Sequence, residues 1–259
     1  MNIGIFDSGI GGMTLLHQAI LTLPKENFIF YADTDHVPYG TKTKEQVIGF
    51  VDEVMQFMIA HDCKAVVIAC NTATSVAAEI MREKYEIPII GIEPAVKPAV
   101  EQSEGKRVMV VATPLTIQEE KLKNLVEKVD DAHLVDLLAL PRLVSFAERG
   151  EFDTEEVYDY LKEMLAPFCL EDYGELVLGC THFNYFKDSF RKLLPADVQM
   201  IDGSVGTINQ LKRVLESRGQ LEEKEGSIRY YTSGRELTKE QDLERMETLH
   251  KRLEAMKNM

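Results

Sequence analysis

Ala65-Val66-Val67-Ile68-Ala69-Cys70-Asn71-Thr72 runs five consecutive apolar residues straight into a cysteine and two polar side chains. A strand with one wet face would alternate. An unbroken run of this length reads as a parallel strand buried on both faces, and the amide and hydroxyl side chains that follow suit the N-cap of a helix. The unit recurs at Leu176-Val177-Leu178-Gly179-Cys180-Thr181-His182, again a buried run ending in Cys and continuing in polar residues. The recurrence points to an internal duplication. If each cysteine belongs to its own sheet, the two face each other across an interdomain cleft.

Outward from these units, β-branched or aromatic runs at residues 2–6, 28–31, 65–69, 87–92, 107–112, 132–138, 176–179 and 198–201 alternate with helix-length amphipathic segments such as 44–61 and 74–85. Repeated βαβ units predict an α/β fold of doubly wound parallel sheets, with ligands at the carboxyl ends of the strands. The chain length suits two smaller sheets better than one of eight strands. Glu93-Pro94 and Lys97-Pro98 lie between the halves, where proline suits a hinge or crossover. After about residue 238, Leu243, Met246, Leu249, Leu253 and Met256 recur at spacings of three and four among charges. That stripe predicts an amphipathic helix packed on a domain surface, ahead of a partner or dimer surface.

Apolar residues make up 45% and charged residues 28%, which is globular composition and excludes a disordered or fibrous chain. Against 29 basic residues stand 43 acidic ones, a net charge of −14. So acidic a surface repels phosphate backbones and anionic lipid, so neither nucleic acid nor a membrane is an expected partner. No apolar run nears the roughly 20 residues that span a bilayer, and residues 1–12 lack the basic and apolar regions of a secretory signal. Cys63, Cys70, Cys169 and Cys180 are too few for a disulfide scaffold, so a soluble cytoplasmic chain with reduced thiols is expected.

Three groups of residues have the makings of chemistry. Asp7-Ser8-Gly9-Ile10-Gly11-Gly12 follows the first strand, where glycines let backbone N–H groups approach an anion. It is neither a dinucleotide fingerprint nor a Walker loop, and it reads equally well as a tight strand-to-helix turn. Cys70 and Cys180 both fall at a strand's carboxyl end beside a helix N-terminus, whose dipole favours thiolate. Cys63 and Cys169 read instead as inert buried hydrophobes. With no C-x₂-C pair and His182 adding one nitrogen, a zinc site is not expected. A Cys180–His182 hydrolase is conceivable but leaves Cys70 without a task. Asp33, Pro38-Tyr39-Gly40, Thr113-Pro114, Thr116 and Glu148 form the third group, in which Tyr39 and the threonines offer neutral donors suited to a carboxylate. Each singly also fits a turn or cap.

Taken in order, Asp7-Ser8-Gly9-Ile10-Gly11-Gly12, Asp33-Thr34 with Pro38-Tyr39-Gly40, Ala69-Cys70-Asn71-Thr72-Ala73-Thr74, Ile92-Glu93-Pro94, Ala112-Thr113 with Thr116, and Leu178-Gly179-Cys180-Thr181-His182 resemble the glutamate racemases of the cofactor-independent aspartate/glutamate racemase superfamily. His182 favours that branch, since aspartate racemases typically carry Glu there. The resemblance implies two pseudo-symmetric α/β domains, residues 1–94 plus 208–259 and residues 95–207, with the active site in the cleft between them. It implies a homodimer, no metal, and racemisation without pyridoxal phosphate or any other cofactor, supplying D-glutamate for peptidoglycan. In that scheme Cys70 as thiolate takes the α-proton of D-glutamate while Cys180 donates from the opposite face, and the roles reverse for L-glutamate. Asp7 assists Cys70 and His182 assists Cys180, with Glu148 as a further carboxylate nearby. Asp7, Ser8, Tyr39, Gly40, Asn71, Thr72, Thr113, Thr116, Thr181 and His182 contact substrate. The chain departs from the family pattern at Phe183-Asn184-Tyr185-Phe186, before Glu148, and in its amphipathic tail. Three rivals remain: a racemase of aspartate or a related acid, the Cys180–His182 hydrolase, and a binding protein for acidic ligands.

Overall fold

The computed structural model describes residues 1–257 and Met259. Strands β1 (Asn2–Asp7), β2 (Asn27–Ala32), β3 (Cys63–Ile68), β4 (Ile89–Gly91), β5 (Arg107–Ala112), β6 (Val135–Ala139), β7 (Tyr173–Leu178), β8 (Gln199–Asp202), β9 (Ile228–Thr232) and β10 (Arg235–Glu236) divide into two sheets. The first has the order β10-β9-β2-β1-β3-β4 and the second β6-β5-β7-β8. Neighbours pair in parallel except for the β9–β10 hairpin. The fold is thus α/β with two parallel sheets, and each cysteine unit lies on a central strand of its own sheet.

The unbroken apolar runs have the anticipated cause. In β3, Ala65 and Val67 join one core cluster while Val66 and Ile68 join another on the opposite face. Helices cover both faces, so no position along the strand is wet. The first of these clusters is continuous from Ile3, Ile5 and Phe30 in the first sheet to Val111, Leu176 and Leu178 in the second.

Several expectations need correction. β9 and β10 were not anticipated. Their residues are mostly half-buried and lie at the sheet's edge, so the run lacks the full burial that marks the other strands. The strand expected at 132–138 begins only at Val135. The Asp130 carboxylate accepts the N–H groups of Leu134 and Val135 and holds a turn there, with His133 at φ 55°. The helix expected to begin at Thr74 spans Asn71–Lys84, because the Cys70 thiol is itself the N-cap and accepts the Ala73 N–H. Cys180 opens not an α-helix but a six-residue 3-10 helix, Thr181–Phe186. Cys169 is exposed rather than buried, at the start of a 3-10 turn followed by Glu171 and Asp172.

The chain crosses between the sheets twice, after β4 and after β8. The crossovers touch at Gly203, where a Cβ would come within 2.1 Å of the Glu93 carbonyl oxygen. The tail forms the helix Glu240–Met256, with Met246, Leu249, Leu253 and Met256 buried against the body and Leu243 exposed. Among the described residues no helix is long and apolar enough to cross a membrane.

At the amino-terminal edge of the first sheet, Lys64 of β3 pairs with Glu26 at 2.7 Å, with side chains 1% and 2% exposed. Removing one member strands a buried charge, whereas removing both does not. Lys64→Met is expected to cost about 3–5 kcal/mol of stability, read as a lower urea midpoint, and Lys64→Met with Glu26→Met to recover most of the loss.

Candidate active site

The carboxyl ends of β1, β3 and β7 converge where the two sheets meet. Asp7 ends β1 and is fully buried. Its Oδ1 accepts the Gly9 N–H at 3.0 Å, and its Oδ2 accepts the Thr181 hydroxyl at 2.9 Å, across the gap between the halves. Cys70 Sγ accepts the Ala73 N–H at 3.4 Å and lies 3.7 Å from Ser8 Oγ. On the facing wall, Cys180 Sγ is 3.9 Å from His182 Nδ1, and His182 Nε2 is 2.7 Å from Glu148 Oε1. Glu148 ends the helix Leu143–Glu148.

The glycine loop serves this cluster rather than an open anion cradle. The Gly9 N–H goes to Asp7 and the Ile10 N–H to Glu148 Oε1 at 2.8 Å. A Cβ on Gly9 would fall 1.8 Å from Glu148 Oε1, and one on Gly11 2.3 Å from His182 Nδ1. Only glycine lets the loop backbone lie against the imidazole–carboxylate pair.

Burial pushes the Cys70 thiol up to about 12, with the Asp7 charge adding to the effect. Burial likewise raises the Asp7 carboxyl above its ordinary value, against the opposing pull of His182 and the Gly9 and Thr181 hydrogen bonds. For His182 burial works against charging, but hydrogen bonds and charge from Cys180 and Glu148 carry it well above its ordinary value. One wall thus holds a thiol and a carboxyl both raised by burial, and the other an imidazole raised by its contacts with Cys180 and Glu148 and approached at Nε2 by the Gly11 N–H at 3.3 Å.

Around the thiols lie polar groups from both halves. The hydroxyls of Thr72, Thr113 and Thr116 form a triangle with all sides 3.0 Å. A Cβ on Gly40 would come within 2.7 Å of Thr113 Cβ. The Tyr39 phenol, expected to be a free donor, instead gives its proton to Asp33 at 2.6 Å. The turn Tyr39–Thr41 leaves its first-turn N–H groups without intrahelical partners, and its Tyr39 and Gly40 line the cavity. Asn71 is 4% exposed, and both its Oδ1 and Nδ2 lack a partner. A buried amide left wholly unpaired costs free energy that a bound polar ligand would recover.

Ser8, Tyr39, Gly40, Cys70, Asn71, Thr72, Thr113, Cys180, Thr181 and His182 line one cavity, while Asp7, Glu148 and Thr116 stand behind them as hydrogen-bond partners. Pro38 and Val144 also line it, and Val144 had not been singled out. Its only signal is a place one helical turn before Glu148. The cavity measures about 10 Å³, room for about one water. A larger opening between the halves, about 1250 Å³, lies along the crossovers and touches neither Cys70 nor Cys180.

Two strand-end thiols, one from each sheet, thus line one cavity with a buried carboxyl and an imidazole–carboxylate pair around them. Residues 13–211 match the Asp/Glu/Hydantoin racemase model, and the chain belongs to that family. It is 55% identical to a glutamate racemase of Lachnospira eligens over 265 residues, covering 100% of both chains. It is 52% identical to glutamate racemase 2 of Bacillus subtilis, covering 96% of this chain and 95% of that one. Among solved structures, the glutamate racemase of Francisella tularensis in complex with D-glutamate superposes with a TM-score of 0.82. The identity is 30%, and the match covers 96% of this chain and 93% of that one.

The raised Asp7 carboxyl has a consequence for stability. A folded-state value above the unfolded one means the folded chain holds the proton more tightly, so stability falls as pH rises through the folded value. Asp7→Asn keeps an acceptor for Gly9 and removes the buried charge. It is expected to melt above the wild type at pH 7, with the gap closing toward pH 4, while losing roughly 10²–10⁴-fold in turnover if Asp7 moves protons. Thermal melts across that range, alongside activity, read both effects.

Proposed function

We propose that this chain interconverts L- and D-glutamate without a cofactor, and that Cys70 and Cys180 exchange protons with opposite faces of the α-carbon. One thiolate takes the α-proton, forming S–H as the Cα–H bond breaks. The opposite thiol gives its proton to the other face, leaving a thiolate there. Asp7 serves Cys70, and His182, held by Glu148, serves Cys180. The carrying observation is the pair of strand-end thiols lining one cavity, Cys180 beside the His182–Glu148 pair and Cys70 beside Ser8, whose hydroxyl lies 3.4 Å from Asp7 Oδ1. A single-base site would need neither the second thiol nor the second partner.

An amino-acid α-carbon is a very weak acid, and no electron sink of the pyridoxal kind is part of this scheme. Charge stabilisation must therefore come from preorganised donors in a dry site. The unpaired Asn71 amide, the hydroxyls of Thr72, Thr113 and Thr116 and the first-turn N–H groups of Tyr39 and Gly40 supply donors for the two substrate carboxylates. The substrate ammonium, placed near Cys70, favours the thiolate that burial alone opposes. The small cavity supports a cycle in which the halves part to admit glutamate and close to expel water. Division at the crossovers gives the bodies that part, residues 1–94 with the carboxyl-terminal segment against the middle segment from residue 95. The expected 207/208 boundary falls inside the helix Ser204–Ser217, so the second division lies just after β8. Supply of D-glutamate for peptidoglycan, in the cytoplasm, is the role in which such a reaction fits.

One observation favours a second reading: Cys180, His182 and Glu148 in line are also the arrangement of a thiol hydrolase. Chiral assay of glutamate and aspartate with wild type, Cys70→Ala and Cys180→Ala separates the two. Racemisation of glutamate, lost by at least about 10²-fold in each variant, is the expected result. A Cys70→Ala enzyme that still turns over acyl substrates, with no racemisation in the wild type, would establish the hydrolase.

A further inference from the structure

The 3-10 helix Thr181–Phe186 carries Thr181 and His182. Its i→i+3 hydrogen bonds have poor geometry, and runs beyond three or four residues are uncommon. Outside groups hold it. The Thr14 hydroxyl donates to the Thr181 carbonyl at 3.1 Å, and the Tyr185 hydroxyl donates to the Ile10 carbonyl at 2.9 Å. At the carboxyl end, the Tyr185 carbonyl accepts both Nε and Nη2 of Arg252, at 3.0 and 2.7 Å. The same guanidinium pairs with both carboxylate oxygens of Asp188, at 2.9 and 3.1 Å, and lies 4.8 Å over the ring of Phe152. Phe152 packs in turn on Tyr185 and Phe186.

Arg252 comes from the C-terminal helix Glu240–Met256, which is anchored by the buried Met246, Leu249 and Leu253 and by a Glu254–His17 contact of 2.8 Å. Two turns earlier on the same helix, Arg245 donates to the Glu148 carbonyl at 3.2 Å. One helix therefore braces both elements that meet at His182: the segment that carries it and the helix end that supplies Glu148.

We propose that Arg252 is a positioning residue for the Cys180–His182–Glu148 wall, acting by fixing the carboxyl end of the Thr181–Phe186 helix. This rests on the reading of Cys180 as one of the two proton-transfer thiols. The fork of Arg252 fixes direction as well as distance, since two of its nitrogens share one carbonyl and one reaches a carboxylate. The Cys180–His182 contact, at 3.9 Å, has little slack. A displacement of about 1 Å at such a contact costs on the order of 10²-fold in rate. The titratable groups facing His182 are Cys180 on its own segment, Glu148 on the neighbouring helix and Asp7 on β1.

Arg252→Ala, Arg252→Lys, Asp188→Asn and Lys251→Ala, compared for kcat, KM, melting temperature and the pH profile of kcat, test the assignment. Arg252→Ala is expected to lower kcat by about 10- to 100-fold with KM within about twofold. The basic limb of its profile should move to lower pH, because a loosened His182 loses the contacts that hold its proton. Arg252→Lys should recover part of kcat, and Asp188→Asn should give the same changes in smaller measure, which keeps the test open if Arg252→Ala fails to fold. Lys251, exposed and paired with Glu247, should be silent. Melting temperatures that fall in Arg252→Ala and Asp188→Asn while kcat and the limb stay put would overturn the assignment and leave Arg252 a purely structural clamp. Cys180→Ala run in parallel separates the two levels, since racemisation surviving there would refute the thiol's role itself and not Arg252's.

Discussion

Asp7 is a carboxylate with no exposure, and its two oxygens are divided between the two halves of the molecule, one on the Gly9 N–H and one on the Thr181 hydroxyl. Much of the site's geometry follows from that division. The bond to Gly9 turns the chain sharply after β1, which sends the Ile10 N–H to Glu148 and brings the loop backbone against His182. The bond to Thr181 fixes the start of the 3-10 helix that carries His182. Each half is thus held in register by a group the other half supplies, and the cost of burying the carboxyl is the condition for bringing two thiols to one cleft.

That cost is visible in the charge balance. Burial raises the Cys70 thiol and the Asp7 carboxyl together, while His182, equally buried, is shifted upward against burial by Cys180 and Glu148. The two walls are therefore chemically unequal before substrate arrives, although their strands and turns are alike. In the proposed reaction a ligand bearing an ammonium and two carboxylates would answer both deficits, the ammonium at the acid-rich wall and the carboxylates at the unpaired Asn71 amide and the hydroxyl triangle. The cavity of about 10 Å³ holds no room for such a ligand as it stands, which is why the proposed cycle includes opening between the halves.

Much of this was legible in the sequence. The fully apolar runs announced parallel strands covered on both faces, and the repeated strand–Cys–polar unit announced two sheets with a thiol at the end of each. The residues expected at the site do converge on one cavity or stand directly behind it. What stayed hidden depended on partners far away in the chain. β9 is half-buried and flanked outward by the two-residue edge strand β10 alone, so its pattern carries no strong period. That Cys70 caps its own helix depends on a bond to Ala73 that propensity scales do not anticipate, and that Tyr39 spends its phenol proton on Asp33 depends on a loop fold. The C-terminal stripe was readable as a helix, but not that Arg252 and Arg245 on it would reach the His182 wall.

The central claim is that two separate thiols serve the two faces of the α-carbon, and isotope partition in deuterium oxide tests it most directly. L-Glutamate is followed by mass spectrometry and chiral separation during the first few per cent of conversion. Two monoprotic bases predict deuterium at the α-carbon of the D-glutamate product and protium in the recovered L-glutamate, since the thiol that takes the substrate proton can only return it to the same face. Deuterium appearing in recovered substrate as fast as in product would mean one exchanging base serving both faces, and would contradict the account.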